Sequence, residues 1–129
     1  MEPVFRSGTK KAIVELSAEL NLHYDLNMQD WSYEVSNPKE IEKYISCYKI
    51  STDDDKKFVL MEMIIQAIVD QPNELQLLNY WKIVTPLLLE NFKIHEFNIH
   101  YWKELSKDNF DNCKILNPLL IQHWNSKAL

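Results

Sequence analysis

Phe58-Val59-Leu60-Met61-Glu62-Met63-Ile64-Ile65-Gln66-Ala67-Ile68-Val69-Asp70 is the stretch that decides the fold. Its polar residues Glu62, Gln66 and Asp70 come four apart. On a helix of 3.6 residues per turn they share one narrow stripe, and apolar side chains cover the rest. A helix of that kind is nearly surrounded by protein, so residues 58–70 are expected to form the central helix of the fold. The run is too short and too interrupted to span a bilayer. Glu62 has two readings. In a groove it would be an acid with a raised pKa; the regular spacing favours a stripe at the solvated edge.

Helical patterns extend on both sides. Upstream, Thr52-Asp53-Asp54-Asp55 opens the central helix, with Thr52 and Asp55 spaced as in a capping box. The aspartates suit the positive end of a helix dipole. Before it, Asn37-Pro38 is an N-cap followed by the residue favoured at the first helical position. Ile41, Tyr44, Ile45 and Tyr48 follow at helical spacing, and the helix stops near Ile50-Ser51. A first helix spans 9–22, with Thr9 as its cap. Ala12, Ile13, Leu16 and Leu20 form its apolar face, and Asn21 stands in for the usual terminal glycine. Downstream, Gln71-Pro72-Asn73 breaks the chain. A fourth helix runs from Glu74 to about Glu90, with Leu77, Leu78, Trp81, Val84 and Leu88 inward; Pro86 should kink or split it near Val84-Thr85. A fifth covers about 94 to Leu105. A loop from Ser106 to Asn112 leads to a last helix that includes Pro118–Trp124. Asn79-Tyr80-Trp81-Lys82 echoes His100-Tyr101-Trp102-Lys103, which fits stacked helical hairpins or coincidence equally. Only short stretches such as Trp31–Val35 alternate with a period of two. The expectation is one all-α domain over 1–129, with five to six helices packed as antiparallel hairpins around the 58–70 helix, as a bundle or a short HEAT-like stack.

Composition removes whole function classes. Gly8 is the only glycine among 129 residues. A dinucleotide fingerprint, a phosphate-binding loop and a serine nucleophile elbow each need several glycines. The formal net charge is −5, and Arg6 is the only arginine. Nucleic-acid surfaces are basic and rich in arginine, so nucleic acid is not an expected partner. Cys47 and Cys113 stand alone in sequence, outside any zinc or redox motif. They read as small buried hydrophobes. The N-terminus lacks a basic segment followed by an apolar one. Together these point to a cytoplasmic protein with neither membrane nor cofactor in its function.

Three constellations could carry chemistry. His95-Glu96-Phe97-Asn98-Ile99-His100 resembles a zincin helix, but its histidines are five apart, roughly 140° round the helix. Glu96 and His100 do share a face as weak metal candidates, yet zinc needs three or four ligands. Glu62 or His123 would have to join them from elsewhere. Asp53-Asp54-Asp55 fails as a calcium loop, because the sixth and twelfth positions are Phe58 and Ile64. The alternative to a binding protein is therefore a small metal-dependent or acid–base enzyme using Glu62, Glu96 and His100. No catalytic motif is visible.

The most informative loop is 23–37, fifteen residues from His23 to Asn37 without a helical period. Loops of that length inside compact domains are usually functional. From Ala12 to Pro38 the chain carries Glu15, Glu19, Asp25, Asp30 and Glu34 and no Lys or Arg. Acids beside Tyr24, Trp31 and Tyr33 suit a protein-binding surface that steers a basic partner. Asp25, Asp30, Trp31, Tyr33 and Glu34 are the expected contacts. In the competing reading, Met28, Trp31 and Val35 fold back over the core.

Three stretches together carry a resemblance: Met28-Gln29-Asp30-Trp31-Ser32-Tyr33-Glu34-Val35, Asp53-Asp54-Asp55-Lys56-Lys57-Phe58-Val59-Leu60-Met61-Glu62 and Ile99-His100-Tyr101-Trp102. This cadence, over roughly residues 24–124, resembles small bacterial proteins, some of them similar to immunity-type proteins of toxin systems. The resemblance implies a bacterial, cytosolic, all-helical and non-enzymatic protein, and it brings no catalytic residues. A protein-binding module that neutralises a basic partner is the expected function. A homodimer that buries the excess of aromatics is a further possibility.

Overall fold

The computed structural model describes residues 3–105 and 112–128, with the side chains of 105, 112–116, 127 and 128 excepted. The expected Ser106 loop, up to residue 111, and the side chain of Cys113 lie outside the described residues. All regular structure in the described chain is helical: α1 Lys10–Glu19, α2 Trp31–Val35, α3 Ile41–Ile50, α4 Asp54–Val69, α5 Glu74–Glu90, α6 Phe92–Leu105 and α7 Asn112–Ala128, with a 3-10 turn at Pro38–Glu40 before α3. Seven α-helices replace the five to six expected. The added one is α2, inside the 23–37 stretch that showed no helical period. No helix among the described residues is long and apolar enough to cross a membrane.

The chain falls into two compact units, Ser7–Ala67 and Ile68–Leu129 with the N-terminal segment to Arg6. In the Ser7–Ala67 unit, local chemistry sets the helix ends. Thr9 Oγ1 accepts the Ala12 amide at 3.1 Å and caps α1. At the other end Asn21 adopts φ 55°, the left-handed conformation. Leu22 N–H then reaches Ser17 O at 2.8 Å and Asn21 N–H reaches Ala18 O at 3.3 Å, the paired bonds of a Schellman cap. Asn37 Oδ1 accepts the Lys39 amide ahead of Pro38-led helix entry, and the Tyr44 hydroxyl accepts the Asn37 N–H. Ile41, Tyr44, Ile45 and Tyr48 are all buried. The α4 cap falls one residue later than the capping-box spacing implied. Asp53 Oδ1, rather than Thr52, accepts the amides of Asp55 and Lys56 at 2.8 and 3.1 Å. Those contacts hold the Asp53 carboxyl below its usual pKa. Every apolar residue of α4 from Phe58 to Ile68 is 0% exposed, as the all-round apolar pattern required.

In the other unit α6 packs on α7, and α5 touches both. Leu77, Trp81, Val84 and Leu88 line the buried face of α5. The helix is not split at Pro86; it is continuous from 74 to 90. Thr85 Oγ1 donates to the Trp81 carbonyl at 2.6 Å, a side-chain bond within the turn that the proline disturbs. Asn117 Nδ2 donates to the Lys103 carbonyl and ties α7 to α6. Phe5 stands edge-on to Phe97 at 5.0 Å, fixing the N-terminal segment on α6.

Candidate functional site

The 23–37 segment is an ordered arm that packs back on its own unit. It begins with an Asx-type turn in which Asp25 Oδ1 accepts the Asn27 amide at 2.8 Å. His23 Nε2 lies 3.0 Å from Asp25 Oδ2. The His23 contact, helped by the Asn27 amide, keeps the Asp25 carboxyl below its usual pKa. The Trp31 indole is 1% exposed, and its Nε1–H donates to the His23 carbonyl at 2.7 Å. Trp31 is therefore an anchor in the core and presents no contact surface. This matches the reading in which the loop folds back, with Met28 and Val35 half-buried beside it.

The five-residue helix α2 is held by tertiary bonds. Tyr33 and Glu34 amides return to the Asp30 carbonyl, and Glu34 Oε2 accepts the Asp30 amide at 3.2 Å. The inner side rests on α4. Ser32 Oγ donates to Glu62 Oε1 at 3.0 Å and Tyr33 Oη donates to Glu62 Oε2 at 3.2 Å. Ser36 Oγ donates to the Met63 carbonyl at 2.7 Å. Glu62 is thus half-buried beneath α2; of its stripe Gln66 is half-buried as well and Asp70 is exposed. Burial pushes the Glu62 carboxyl up to about 7. The Ser32 and Tyr33 hydroxyls act against that shift, and the nearby Asp30 charge adds to it.

The acids named from sequence separate into two groups. Glu15 and Glu19 both pair with the one Lys56 Nζ at 3.0 Å, which offsets one of their two charges. Asp25, Asp30 and Glu34 are exposed, and Tyr33 is half-buried. Asp30 is the N-cap of α2, yet its carboxylate makes no capping bond.

The enzyme candidates divide between the two units. Glu62 belongs to one unit, Glu96 and His100 to the other. Glu96 turns to Lys93 at 3.7 Å. The His100 ring lies 5.8 Å from that of Trp124, and its Nδ1 is buried without a hydrogen bond. Within neither unit do three described His, Cys, Asp or Glu side chains gather as a metal site. A groove of about 230 Å³ beside Trp81 and His123 and another of about 220 Å³ beside Cys47 and Lys56 do not include Glu62. Burial pushes the Cys47 thiol up, with a further push from Glu19.

Sequence reasoning missed two participants, Ser32 and Lys56. Neither stands in a motif, and each acts across roughly thirty to forty intervening residues. No protein-family model, curated protein or solved structure matches the chain.

Proposed function

We infer that the chain is a non-enzymatic protein-binding module whose 23–34 arm meets a partner with a basic surface. The biological setting that suits this reading is a bacterial cytoplasm, with the protein as an immunity-type neutraliser of a toxin-like basic domain. The observation that carries it is the arrangement of Asp25, Asp30 and Glu34. All three are exposed on an arm already ordered by Trp31, Ser32 and Ser36. A pre-ordered arm gives up little conformational entropy on docking, and its carboxylates raise the rate of encounter with a cationic partner. The net charge of −5 works against nucleic acid in the same way that it favours a basic protein. Antiparallel hairpin packing around α4 and a homodimer that buries aromatics belong to the same reading.

The test is capture from host lysate by wild type and by Asp30→Lys/Glu34→Lys, each checked for an unchanged helical spectrum. Asp30→Lys removes no internal hydrogen bond, because its carboxylate caps nothing, whereas Glu34→Lys gives up the bond to the Asp30 amide, so Asp30→Lys alone is run beside the double variant. A basic protein held by wild type, released by moderate salt and lost with the charge reversal supports the arm as the interface. Equal capture by both moves the interface elsewhere. Capture by neither defeats the reading.

The second reading is acid–base chemistry at Glu62, supported by its titration near neutrality. A hydrolase panel in which any activity disappears with Glu62→Gln would favour it.

A further inference from the structure

Glu62 meets two hydroxyl donors, and both come from α2. Ser32 Oγ takes one carboxyl oxygen at 3.0 Å and Tyr33 Oη takes the other at 3.2 Å. Asp30 and Glu34, two of the arm's three exposed acids, lie within two residues of those donors. Ser36 Oγ donates to the Met63 carbonyl just beyond the helix, and the buried Trp31 indole, bonded to the His23 carbonyl, seats its first residue. A half-buried carboxyl is therefore one of the fastenings of a short helix that is too brief to hold itself.

We propose that Glu62 is a proton-operated latch on α2: carrying its proton it holds the 31–35 helix to α4, and on ionising it weakens that hold, so that the helix, with Asp30 and Glu34, opens more often against the remaining anchor of Trp31. As a control of partner docking this rests on the reading of the arm as the interface.

The physical basis is the cost of burying charge. A neutral carboxylic acid is tolerated between two packed helices, whereas a carboxylate seeks water. The groups facing Glu62 offer little compensation. From α2 come Ser32 and the titratable Tyr33, and from its N-cap comes Asp30, whose charge repels. On α4 itself the residues one turn away are Phe58, Val59, Ile65 and Gln66, none of them ionisable. With α2 lifted, the carboxyl is hydrated and titrates near its ordinary 4.5; with α2 docked, the proton is held to about 7. Opening therefore releases a proton. The latch is fully fastened below the lower value, opening grows about tenfold per pH unit between the two, and it levels off above the upper one. The whole change is on the order of a hundredfold.

Amide hydrogen exchange tests this without any partner. Protection factors for 31–35 and for α3 are measured from pH 4.5 to 8 in wild type and Glu62→Gln. In wild type the protection of 31–35 lies below that of α3, falls about a hundredfold as pH rises to about 7, and then stays flat. In Glu62→Gln it changes by less than about threefold, because the amide does not titrate. Tyr33→Phe removes a donor that favours the ionised form, so its plateau begins at higher pH. Equal pH slopes in wild type and Glu62→Gln overturn the latch. So does equal protection on 31–35 and α3, which would make Glu62 a determinant of global unfolding only, and so does an unmoved plateau in Tyr33→Phe. Because the helix itself is observed, these outcomes are independent of whether charge reversal abolishes capture of a basic protein.

Discussion

Replacing Trp31 separates an anchor from a contact. The indole is 1% exposed and its Nε1–H is spent on the His23 carbonyl. A buried tryptophan removes roughly 200 Å² from water. At about 25 cal/mol per Å² this stabilises by about 5 kcal/mol, an upper bound because the unfolded chain already covers part of that surface. Alanine keeps a small share of the burial but leaves a cavity, so Trp31→Ala is expected to cost about 3–5 kcal/mol. Trp31→Phe keeps most of the apolar fill and loses the hydrogen bond. The half-open position of its acceptor, near exposed His23, lets water replace the donor. The expected cost is about 1–2 kcal/mol. Urea denaturation followed by far-UV circular dichroism at pH 7 reads both, with m unchanged if the native state keeps its compactness. A Trp31→Ala protein within about 1 kcal/mol of wild type would refute the argument, since no side chain buried to that extent is removed so cheaply. It would return Trp31 to the list of surface contacts.

Other substitutions probe the ends and edges of the helices. Asn21 holds φ 55° on an exposed turn. Asn21→Ala should therefore destabilise by about 1 kcal/mol and Asn21→Gly should be neutral or slightly stabilising, the order being read from thermal midpoints. Gly8 faces α4 closely: a Cβ there would stand 2.9 Å from Val59 Cγ2 and 3.4 Å from Ile13 Cδ1. Val59 is fully buried and stiff at χ1, so Gly8→Ala is expected to cost about 1–3 kcal/mol, and less than that when it is made in a Val59→Ala background, where the clash is gone. The Cys47 thiol is pushed up by burial, so at neutral pH its carbamidomethylation, followed by peptide mapping, should be slower than that of a free thiol and should accelerate with alkali. A faster reaction than glutathione at pH 7 contradicts the environment described.

The parts of the fold legible from sequence are those decided within one or two turns of chain. The all-round apolar pattern of 58–70, the Asn37-Pro38 entry, the Thr9 cap and the left-handed Asn21 all rest on local chemistry, and each appears in the structure. Where distant residues decide the outcome, local patterns misled. Trp31-Ser32-Tyr33-Glu34-Val35 alternates in polarity, yet coils because Glu62 draws Ser32 and Tyr33 to the same side. The four-residue spacing of Glu62, Gln66 and Asp70 is that of a wetted stripe, and α2 covers one end of it. Glu15 and Glu19 read as part of an acidic surface until Lys56, from another helix, is placed between them. Pro86 read as a kink or a split; the helix is not split, and Thr85 stays bonded to the turn before it. Of the arm's five expected contacts, the structure leaves Asp25, Asp30 and Glu34 exposed and Tyr33 half-buried, and takes Trp31 inside.

The placement of the indoles makes the molecule unusually easy to watch. Trp31 is the one tryptophan of the Ser7–Ala67 unit; Trp81, Trp102 and Trp124 all lie in the other. With those three changed to phenylalanine, a single emitter remains, seated in an apolar site and tethered to a backbone carbonyl. Its emission maximum would then report the wetting of a five-residue helix in isolation. A red shift without loss of ellipticity would be the optical signature of the arm leaving its seat while the rest of the chain stays folded.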